Sequence, residues 1–224
     1  MVALSGLKKE AQGRCESGDM RPSAPRSLDH ALAQIMQRAA GYERFIIALA
    51  GPPGAGKSTL ARILANRLGD AGILQADGFH FDNLLLDRLG LRHRKGAVDT
   101  FDIAGLGAML RRIRAREPVV MPVFDRELDV VRGCAELLPA ATKFVVVEGN
   151  YLGLTSGPWA ALRGLFDLTA VIDVPETELR RRLTRRWRDL GCSPADVIAH
   201  VEGNDLPNAA LIRNNSQGDV ILQP

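Results

Sequence analysis

An octapeptide of the phosphate-loop type constrains this chain more than any other feature. It spans Gly51–Ser58, reads Gly-Pro-Pro-Gly-Ala-Gly-Lys-Ser, and lies between the apolar run 45–50 and a helix-like stretch that begins at Thr59. Glycines let the backbone wrap a polyphosphate with its N–H groups pointing inward, and the helix N-terminus adds positive potential. The sequence therefore predicts a strand, a loop that binds a nucleoside triphosphate, and a helix, in that order.

Two side chains of the loop have predicted chemical roles. Lys57 would contact the β- and γ-phosphates, and the Ser58 hydroxyl would bind Mg²⁺. The loop leaves the acceptor of the phosphoryl group open, since water, a metabolite or another nucleotide could each receive it. The candidate nucleotide-binding residues are Gly51, Pro52, Pro53, Gly54, Ala55, Gly56, Lys57, Ser58 and Thr59.

Length and composition narrow the class of protein. The 224 residues suit one α/β domain, and the net charge of +3 fits a polyanionic ligand such as ATP as well as it fits nucleic acid. The cysteines Cys15, Cys134 and Cys192 are too scattered to predict a disulfide framework or a zinc site. The sequence has no apolar run of transmembrane length and no signal-peptide core near its amino terminus. We expect a cytoplasmic protein without a membrane partner.

Strand-like and helix-like segments alternate along most of the chain. Residues 1–26 lack periodicity and are predicted to form a disordered tail, whereas Ser27 can cap a helix that runs to Arg38 and opens the domain at 27–224. Strands separated by helices predict a doubly wound, mostly parallel sheet with helices on both faces and a ligand at the carboxyl ends of the strands. The predicted strands are 45–50, 72–77, 119–124, 143–148, 168–174 and 219–222.

Two carboxylates follow predicted strands at the edge where the phosphate loop is expected. Asp77 ends the second strand and could accept the proton of an acceptor hydroxyl, or it could be a solvated turn residue before Gly78. His80 could donate a hydrogen bond to a substrate or pack at the rim. Glu148 closes the strand at 143–148 and is predicted to hold Mg²⁺ directly or through water.

The arginine-rich segment Leu179–Arg188 is too basic for a core helix. It is typical of a mobile lid, predicted over about 180–195, that brings arginines onto the transferring phosphates. The alternative is a solvated basic face of a helix. Arg185 and Arg188 lie nearest to the tip of this lid in sequence. The predicted catalytic residues are Asp77, Lys57, Arg185 and Arg188.

The order of these motifs resembles the pantothenate kinase, uridine kinase and phosphoribulokinase group of P-loop kinases. The resemblance covers about 45–222 and implies a P-loop NTPase fold with a small helical lid. It also implies that Asp77 activates the acceptor and that Arg94 with Lys95 forms the basic pair of a substrate loop. Phe124 and Asp125 match a hydrophobic and acidic substrate wall. The matching segments are Gly51–Ser58, Asp77–His80, Arg94–Gly96, Thr100–Asp102, Pro122–Asp125, Val147–Tyr151 and Gly203–Asp205 with Asn208. The candidate substrate residues are His80, Arg94, Lys95, Phe124, Asp125, Asn150 and Asn204.

The combination of Asp-Gly-Phe-His, Arg-Lys-Gly and Glu-Gly-Asn-Tyr-Leu is more similar to a smaller subgroup of bacterial and fungal proteins, some of them named fructokinases of sugar transport operons. That resemblance implies a sugar hydroxyl as the acceptor. The polar side chains of His80, Arg94, Asp125 and Asn204 could bind several hydroxyls. A uridine-type nucleoside kinase and a pantothenate kinase are the alternatives. We expect ATP as the donor, Mg²⁺ as the cofactor, a monomer or homodimer, and no nucleic-acid partner.

Competing classes of nucleotide-binding protein make different demands on the sequence. A GTPase switch would need the guanine-reading tetrapeptide Asn-Lys-x-Asp, which the sequence lacks. A nucleic-acid-binding ATPase would need stacking aromatic residues among the basic ones, and only Trp187 lies in the arginine-rich segment. A regulatory ATPase with residual turnover stays open, and would hydrolyse ATP without stimulation by any acceptor.

Overall fold

A computed structural model describes residues 27–223. The tail predicted for residues 1–26 lies outside the described residues. The strands are β1 (Phe45–Ala50), β2 (Ala71–Gln75), β3 (Val119–Asp125), β4 (Val130–Leu138), β5 (Phe144–Gly149), β6 (Leu168–Ile172) and β7 (Val220–Leu222). The α-helices are α1 (Leu28–Arg38), α2 (Lys57–Leu68), α3 (Asn83–Leu89), α4 (Ile103–Arg114), α5 (Gly157–Ala160), α6 (Glu176–Asp189), α7 (Pro194–His200) and α8 (Leu206–Asn215).

Five strands form one parallel sheet in the order β2-β5-β1-β6-β7. β1 pairs with β5 over its whole length, from Phe45 opposite Phe144 to Ala50 opposite Gly149. All residues of both strands are buried, as expected for parallel strands covered on both faces by helices. The predicted doubly wound α/β fold is therefore confirmed, and the carboxyl ends of β1, β2 and β5 meet at one edge.

Two apolar layers hold the helices against the faces of this sheet. On one face, Ile35 of α1, Leu64 of α2 and Leu183 of α6 pack into a single buried cluster. On the other face, α4 packs together with Tyr151 and Trp159. Each fully buried side chain of this size contributes about 1.5–3 kcal/mol relative to exposure. Helix packing therefore fixes the sheet edge on which the motif residues converge.

The helix boundaries follow the capping signals. Ser27 accepts a hydrogen bond from the His30 N–H, and α1 ends at Arg38 as predicted. Asp82 caps α3 through the Leu84 N–H in the same way. Within residues 27–223, no helix is long and apolar enough to cross a membrane.

A two-stranded antiparallel hairpin, β3 and β4, stands apart from the main sheet. Only its first strand, at 119–124, is predicted from the sequence. β4 was missed because most of its residues are exposed, and its sequence, Val-Val-Arg-Gly-Cys-Ala-Glu-Leu-Leu, lacks the apolar run of a buried strand. The turn 126–129 at the tip of this hairpin lies over the carboxyl end of β2, because Arg126 reaches Asp77 there.

The arginine-rich segment forms the helix α6, and a tight turn through Gly191, with φ of 79°, leads into α7. A short π-helix, Val201–Asp205, then joins α7 to α8. Such π-helical turns are frequent at functional sites. The lid predicted at about 180–195 therefore corresponds to most of α6 and the turn after it, and its mobility stays a prediction.

Candidate active site

The phosphate loop joins β1 to α2 and owes its shape to two glycines. Gly54 and Gly56 have φ of 77° and 88°, in the left-handed region that favours glycine. The backbone therefore curls tightly before α2 begins at Lys57. Helix α6 packs directly on this loop, since a Cβ at Gly54 would lie 3.1 Å from Cγ of Leu183.

Lys57 is buried at the start of α2. Its Nζ donates to the carbonyl oxygen of Pro52 at 3.0 Å and to Oδ1 of Asn150 at 2.6 Å. Burial lowers the pKa of Lys57, while the nearby carboxylates Glu148 and Asp77 favour its charged form. The ammonium group is thus held in place inside the loop, and within residues 27–223 it forms no ion pair, as suits a group that binds phosphate oxygens.

Ser58 and Glu148 form the predicted metal pair. Ser58 Oγ donates to Oε1 of Glu148 at 2.8 Å, which joins the start of α2 to the end of β5. Glu148 is 2% exposed, and burial, followed by the negative charge of Asp77, raises its pKa. A buried carboxylate beside a hydroxyl fits a hard cation such as Mg²⁺, whose charge would offset this cost.

No group of three His, Cys, Asp or Glu residues among 27–223 could hold a metal by itself. Mg²⁺ commonly keeps water ligands and binds through one or two carboxylates together with phosphate oxygens. The Ser58 and Glu148 pair therefore suits a cation that arrives with a nucleotide, and it does not suit a permanent metal centre.

Asp77 lies in a 3₁₀ turn, Ala76–Phe79, and not at the end of a strand as predicted, because β2 ends at Gln75 and the chain bends there. Its side chain is 14% exposed, and Oδ2 accepts a hydrogen bond from Nη2 of Arg126 at 2.9 Å. The bend therefore aims the carboxylate at the tip of the hairpin.

The charge state of Asp77 is set by opposing effects. Burial would raise its pKa, but the positive charges of His80 when protonated, Arg126 and Lys57 outweigh burial and lower it. His80 is itself neutral at neutral pH because burial lowers its pKa. Arg126 and Lys57 still favour the ionised form of Asp77 there, which is the state that can accept a proton.

His80 is fixed on the acceptor side of Asp77. Its Nδ1 donates to the Asp77 carbonyl oxygen at 2.7 Å, and its ring lies between Phe101 and Phe124, with centroids at 4.1 and 4.8 Å. The donation at Nδ1 leaves Nε2 of the neutral ring as an acceptor. His80 can therefore accept a hydrogen bond from a hydroxyl group of a bound molecule.

Lys95 connects the substrate loop to the hairpin. Its Nζ contacts Oδ1 of Asp129 at 2.9 Å and Oδ1 of Asn83 at 2.7 Å, and it lies 4.9 Å from the ring centroid of Phe124. These contacts bring Lys95 and Phe124, two of the predicted substrate residues, next to each other.

The other predicted substrate residues bind protein partners. Arg94 is exposed and pairs with Asp99 at 3.1 Å, and Asp125 pairs with Arg132 at 2.7 Å. Asn204 Nδ2 donates to the carbonyl oxygen of Lys95 at 3.0 Å. Asn150 holds Lys57, as described above. The structure therefore brings Asn204 to the acceptor side and Asn150 to the phosphate loop, while Arg94 and Asp125 lie at the exposed rim.

The arginines of α6 divide between two faces of the helix. Arg185 and Arg188, the two predicted catalytic arginines, are exposed and line an outer groove with Thr184 and Asp189, so the structure does not bring them to the phosphate loop. Arg182 lies 3.4 Å from the Gly54 carbonyl oxygen. Arg186 is half-buried, and its charge acts on both Asp77 and Lys57.

Sequence reasoning missed Arg126 and Arg186 as residues of the site. Helical periodicity could have identified Arg186, because it lies three residues after Leu183 and seven after Leu179, both of which face the core. No local pattern identifies Arg126, since its position depends on the hairpin that pairs β3 with β4.

Proteins that are similar to this chain support the same kind of site as the geometry does. The chain matches no protein-family model. It is 32% identical over 230 residues to the uncharacterized Escherichia coli protein YggC, covering 99% of this chain and 94% of the relative. A Schizosaccharomyces pombe protein provisionally named a uridine kinase is 31% identical over 216 residues, covering 88% and 90% of the two chains. Pantothenate kinases are also similar in sequence.

A crystal structure from a Silicibacter species, provisionally described as a fructose transport system kinase, superposes with a TM-score of 0.83 at 34% identity, covering 88% of this chain and 98% of that one. The chain belongs to the P-loop kinase group. It is therefore a phosphotransferase enzyme. Its P-loop is a nucleotide-binding motif and its sheet is that of a P-loop kinase, as the sequence predicted.

Proposed function

We propose that this kinase transfers the γ-phosphoryl group of ATP to a hydroxyl group of a small polar metabolite, with a sugar as the best candidate. The observation that carries the proposal is the position of Asp77. It is a nearly buried, ionised carboxylate on the acceptor side of a complete phosphate loop, and it is coupled electrostatically to Lys57. Phosphoryl transfer requires mainly such positioning and charge stabilisation.

Each side chain has a distinct role in this reaction. Asp77 orients the acceptor hydroxyl and receives its proton as the oxygen attacks phosphorus. Lys57 and the half-buried Arg186 neutralise charge on the phosphoryl group, while Ser58 and Glu148 hold Mg²⁺. Mg²⁺, when bound, offsets the charge of the β- and γ-phosphates. The backbone N–H groups of the loop, residues 51–59, bind the phosphates of the nucleotide.

Three observations favour a sugar over a nucleoside. The acceptor side offers the polar acceptor atom Nε2 of His80, whose Nδ1 is held by the Asp77 carbonyl oxygen. The ring of Phe124 already contacts His80 and Lys95, which leaves less of its surface for stacking a nucleobase. The Silicibacter protein, which is provisionally described as a fructose transport system kinase, matches 88% of this chain. Arg94 and Asp125, at the rim, are the residues that we expect to reach a larger acceptor.

The proposal extends to the setting of the enzyme. The lid would consist of the end of α6 and the turn into α7, and its closure would bring Arg185 and Arg188 nearer to the phosphates. The enzyme would act in the cytoplasm, as a monomer or homodimer, with ATP and the acceptor as its partners and without nucleic acid.

A screen of acceptors with coupled detection of ADP tests this proposal. Fructose, other sugars, glycosides, nucleosides and pantothenate are compared with a reaction that lacks an acceptor, at saturating Mg²⁺ and ATP. We expect one sugar to raise ADP formation at least about tenfold above that background, and mass spectrometry to find the phosphorylated sugar. Stimulation by uridine or pantothenate alone would replace the sugar by those acceptors.

ADP formation that no acceptor stimulates would favour a regulatory ATPase. A steep salt dependence of micromolar binding to single-stranded DNA would instead favour a nucleic-acid-binding ATPase.

A further inference from the structure

The tip of the hairpin is a fixed platform for Arg126. On one side, Oδ1 of Asp125 accepts the backbone N–H groups of Glu127 and Leu128, both at 3.1 Å, which closes the turn on itself. On the other side, the Asp129 carbonyl oxygen accepts hydrogen bonds from Lys95 at 2.6 Å and from Asn83 at 2.9 Å. A turn held at both ends presents its one arginine in a defined place.

The same hairpin is packed tightly against the turn that carries Asp77. A Cβ at Gly78 would lie 2.7 Å from the Pro122 carbonyl oxygen, so the two backbones touch where only glycine fits. The stacking of His80 on Phe124 adds a second contact between these elements. Arg126 and Asp77 are thus held opposite each other by backbone packing, and their ion pair follows from this arrangement.

The ion pair engages only one nitrogen of the Arg126 guanidinium group. Arg126 donates to Asp77 through Nη2 alone, and its side chain is 46% exposed, whereas Asp77 is 14% exposed. An arginine can donate through five N–H groups, and a planar fork matches the oxygens of a phosphoryl group. Arg126 can therefore exchange one carboxylate oxygen for several phosphoryl oxygens when the substrates bind.

A second arginine, Arg186, lies close enough for its charge to act on both Asp77 and Arg126. Arg186 of α6 is half-buried, and burial, followed by the positive charge of Arg126, lowers its pKa. Among residues 27–223, no carboxylate lies within ion-pair distance of Arg186. Two guanidinium groups and the Lys57 ammonium thus act on Asp77 together. This concentration of positive charge favours the binding of a further anion, such as a phosphoryl group, beside Asp77.

We propose that Arg126 is a catalytic residue, which contacts the phosphoryl group in transit between ATP and the acceptor. In the reaction the hydroxyl oxygen forms a bond to the γ-phosphorus, the bond from that phosphorus to the ADP oxygen breaks, and the hydroxyl proton passes to Asp77. Arg126 stays protonated, leaves Asp77 as the proton arrives, and donates to the phosphoryl oxygens. This inference rests on the proposed function and adds the hairpin to the catalytic machinery.

A double-mutant cycle separates this role from a purely structural one. Arg126→Gln, Asp77→Asn and the double variant are compared by kcat and by KM for ATP and for the acceptor. We expect Arg126→Gln to lower kcat by about 10²-fold, with KM for ATP changed by less than about threefold, and to lower the residual rate of Asp77→Asn further. Arg126→Lys should recover part of the loss, because it keeps the charge but not the fork.

Arg112→Gln is the matched control. It breaks another arginine-carboxylate pair, Arg112 with Glu117 at 2.7 Å, in which both side chains are half exposed, and it should leave kcat unchanged. A wild-type kcat in Arg126→Gln would overturn the proposal. So would a cycle in which Arg126→Gln has no effect once Asp77 is Asn, because Arg126 would then act only through Asp77.

Binding of ADP with aluminium fluoride, a mimic of the phosphoryl group in transit, provides a readout that needs no turnover. By titration calorimetry with Mg²⁺, Arg126→Gln should weaken binding of ADP with aluminium fluoride at least about tenfold, while ADP alone binds as in the wild type. Equal loss for both ligands, or for neither, would overturn the role of Arg126. Failure of the proposed function would be seen separately, as an acceptor screen without a hit.

Discussion

The two halves of the site are built by different means. The donor half, residues 51–58 with Glu148, is made of adjacent regular elements, a strand, a loop and a helix, and its parts are fixed by the main sheet. The acceptor half comprises the turn Ala76–Phe79, the loop around Lys95 and the hairpin tip. It is held by contacts between loops and turns outside the main sheet, such as Arg126 with Asp77. The donor half is thus fixed by regular elements of the main sheet, even where its partners, such as Ser58 and Glu148, are 90 residues apart. The acceptor half depends instead on how separate loops meet.

The largest effect should come from the acceptor half. Asp77→Asn removes the group that receives the proton but leaves the phosphate loop intact, so we expect kcat to fall by about 10³-fold with nearly unchanged ATP affinity. Steady-state kinetics and ATP titration calorimetry would measure the two quantities. Turnover close to that of the wild type would remove Asp77 from the mechanism, and an equal loss of ATP affinity would show that the halves are not separable.

The complementary change in the donor half is Lys57→Ala. It removes the buried ammonium that bonds to Pro52 and Asn150, so both ATP binding and catalysis should weaken, with kcat/KM for ATP lower by about 10²-fold. The acceptor should bind as before, which equilibrium dialysis with labelled acceptor would check. Loss of kcat alone, with unchanged ATP affinity, would contradict the assignment of Lys57 to ground-state phosphate binding.

A smaller change tests whether packing of the hairpin sets the acceptor half. Gly78→Ala would force its Cβ against the Pro122 carbonyl oxygen, a backbone atom at 2.7 Å that can move only with the hairpin. We expect KM for the acceptor to rise about tenfold while ATP affinity stays the same. Gly133→Ala, on the same hairpin with nothing within 4 Å of its Cβ, is the control. Equal behaviour of the two variants would show that the contact between hairpin and turn is not needed.

The smallest effect should appear at the opposite edge of the sheet, where Asp219 precedes β7. Burial would raise the pKa of Asp219, but the Thr169 N–H and Arg38 outweigh it and lower that pKa below its ordinary value. A lowered folded-state pKa stabilises the fold above the unfolded-state pKa, and this stability is lost as the pH falls through the folded-state pKa.

Asp219→Asn should therefore cost about 0.5–1 kcal/mol of unfolding free energy at pH 7, a value kept small by solvent exposure of the pair. The cost should shrink below about pH 4, the ordinary range of an aspartate. Urea unfolding of both proteins at the two pH values would measure it. A cost that is independent of pH would exclude the ion pair as its source, and altered kinetics would show that this edge is not independent of the site.

The sequence was sufficient to predict those elements that depend on short local patterns of residues. The phosphate loop, β1 and the cap at Ser27 each depend on neighbouring residues or on a buried apolar strand, and the structure places them as the pattern indicates. The structure also brings Ser58 and Glu148 together, and their binding of Mg²⁺ stays a prediction. What sequence could not supply depends on pairing. β4 has no apolar period, so neither the hairpin nor the position of Arg126 could be predicted.

The sequence also predicted the wrong arginines of α6 to lie near the phosphate loop. Composition indicated that some of them approach the phosphates, but the choice of Arg185 and Arg188 depended on nearness to the tip of the lid. The helix instead turns Arg182 and Arg186 toward the phosphate loop, because Leu179 and Leu183 fix which face packs inward. Helical phase was a better guide here than distance along the chain.

The π-helix Val201–Asp205 connects two parts of the candidate site. Its neighbouring residues Asn204 and Asp205 bind different partners: Asn204 donates to the Lys95 carbonyl oxygen, and Asp205 accepts from Trp187 Nε1 at 2.7 Å. One turn is therefore tethered both to the loop around Lys95 and to α6. A shift of the Lys95 loop on binding a small molecule would therefore reach α6, whose Leu183 packs on the phosphate loop.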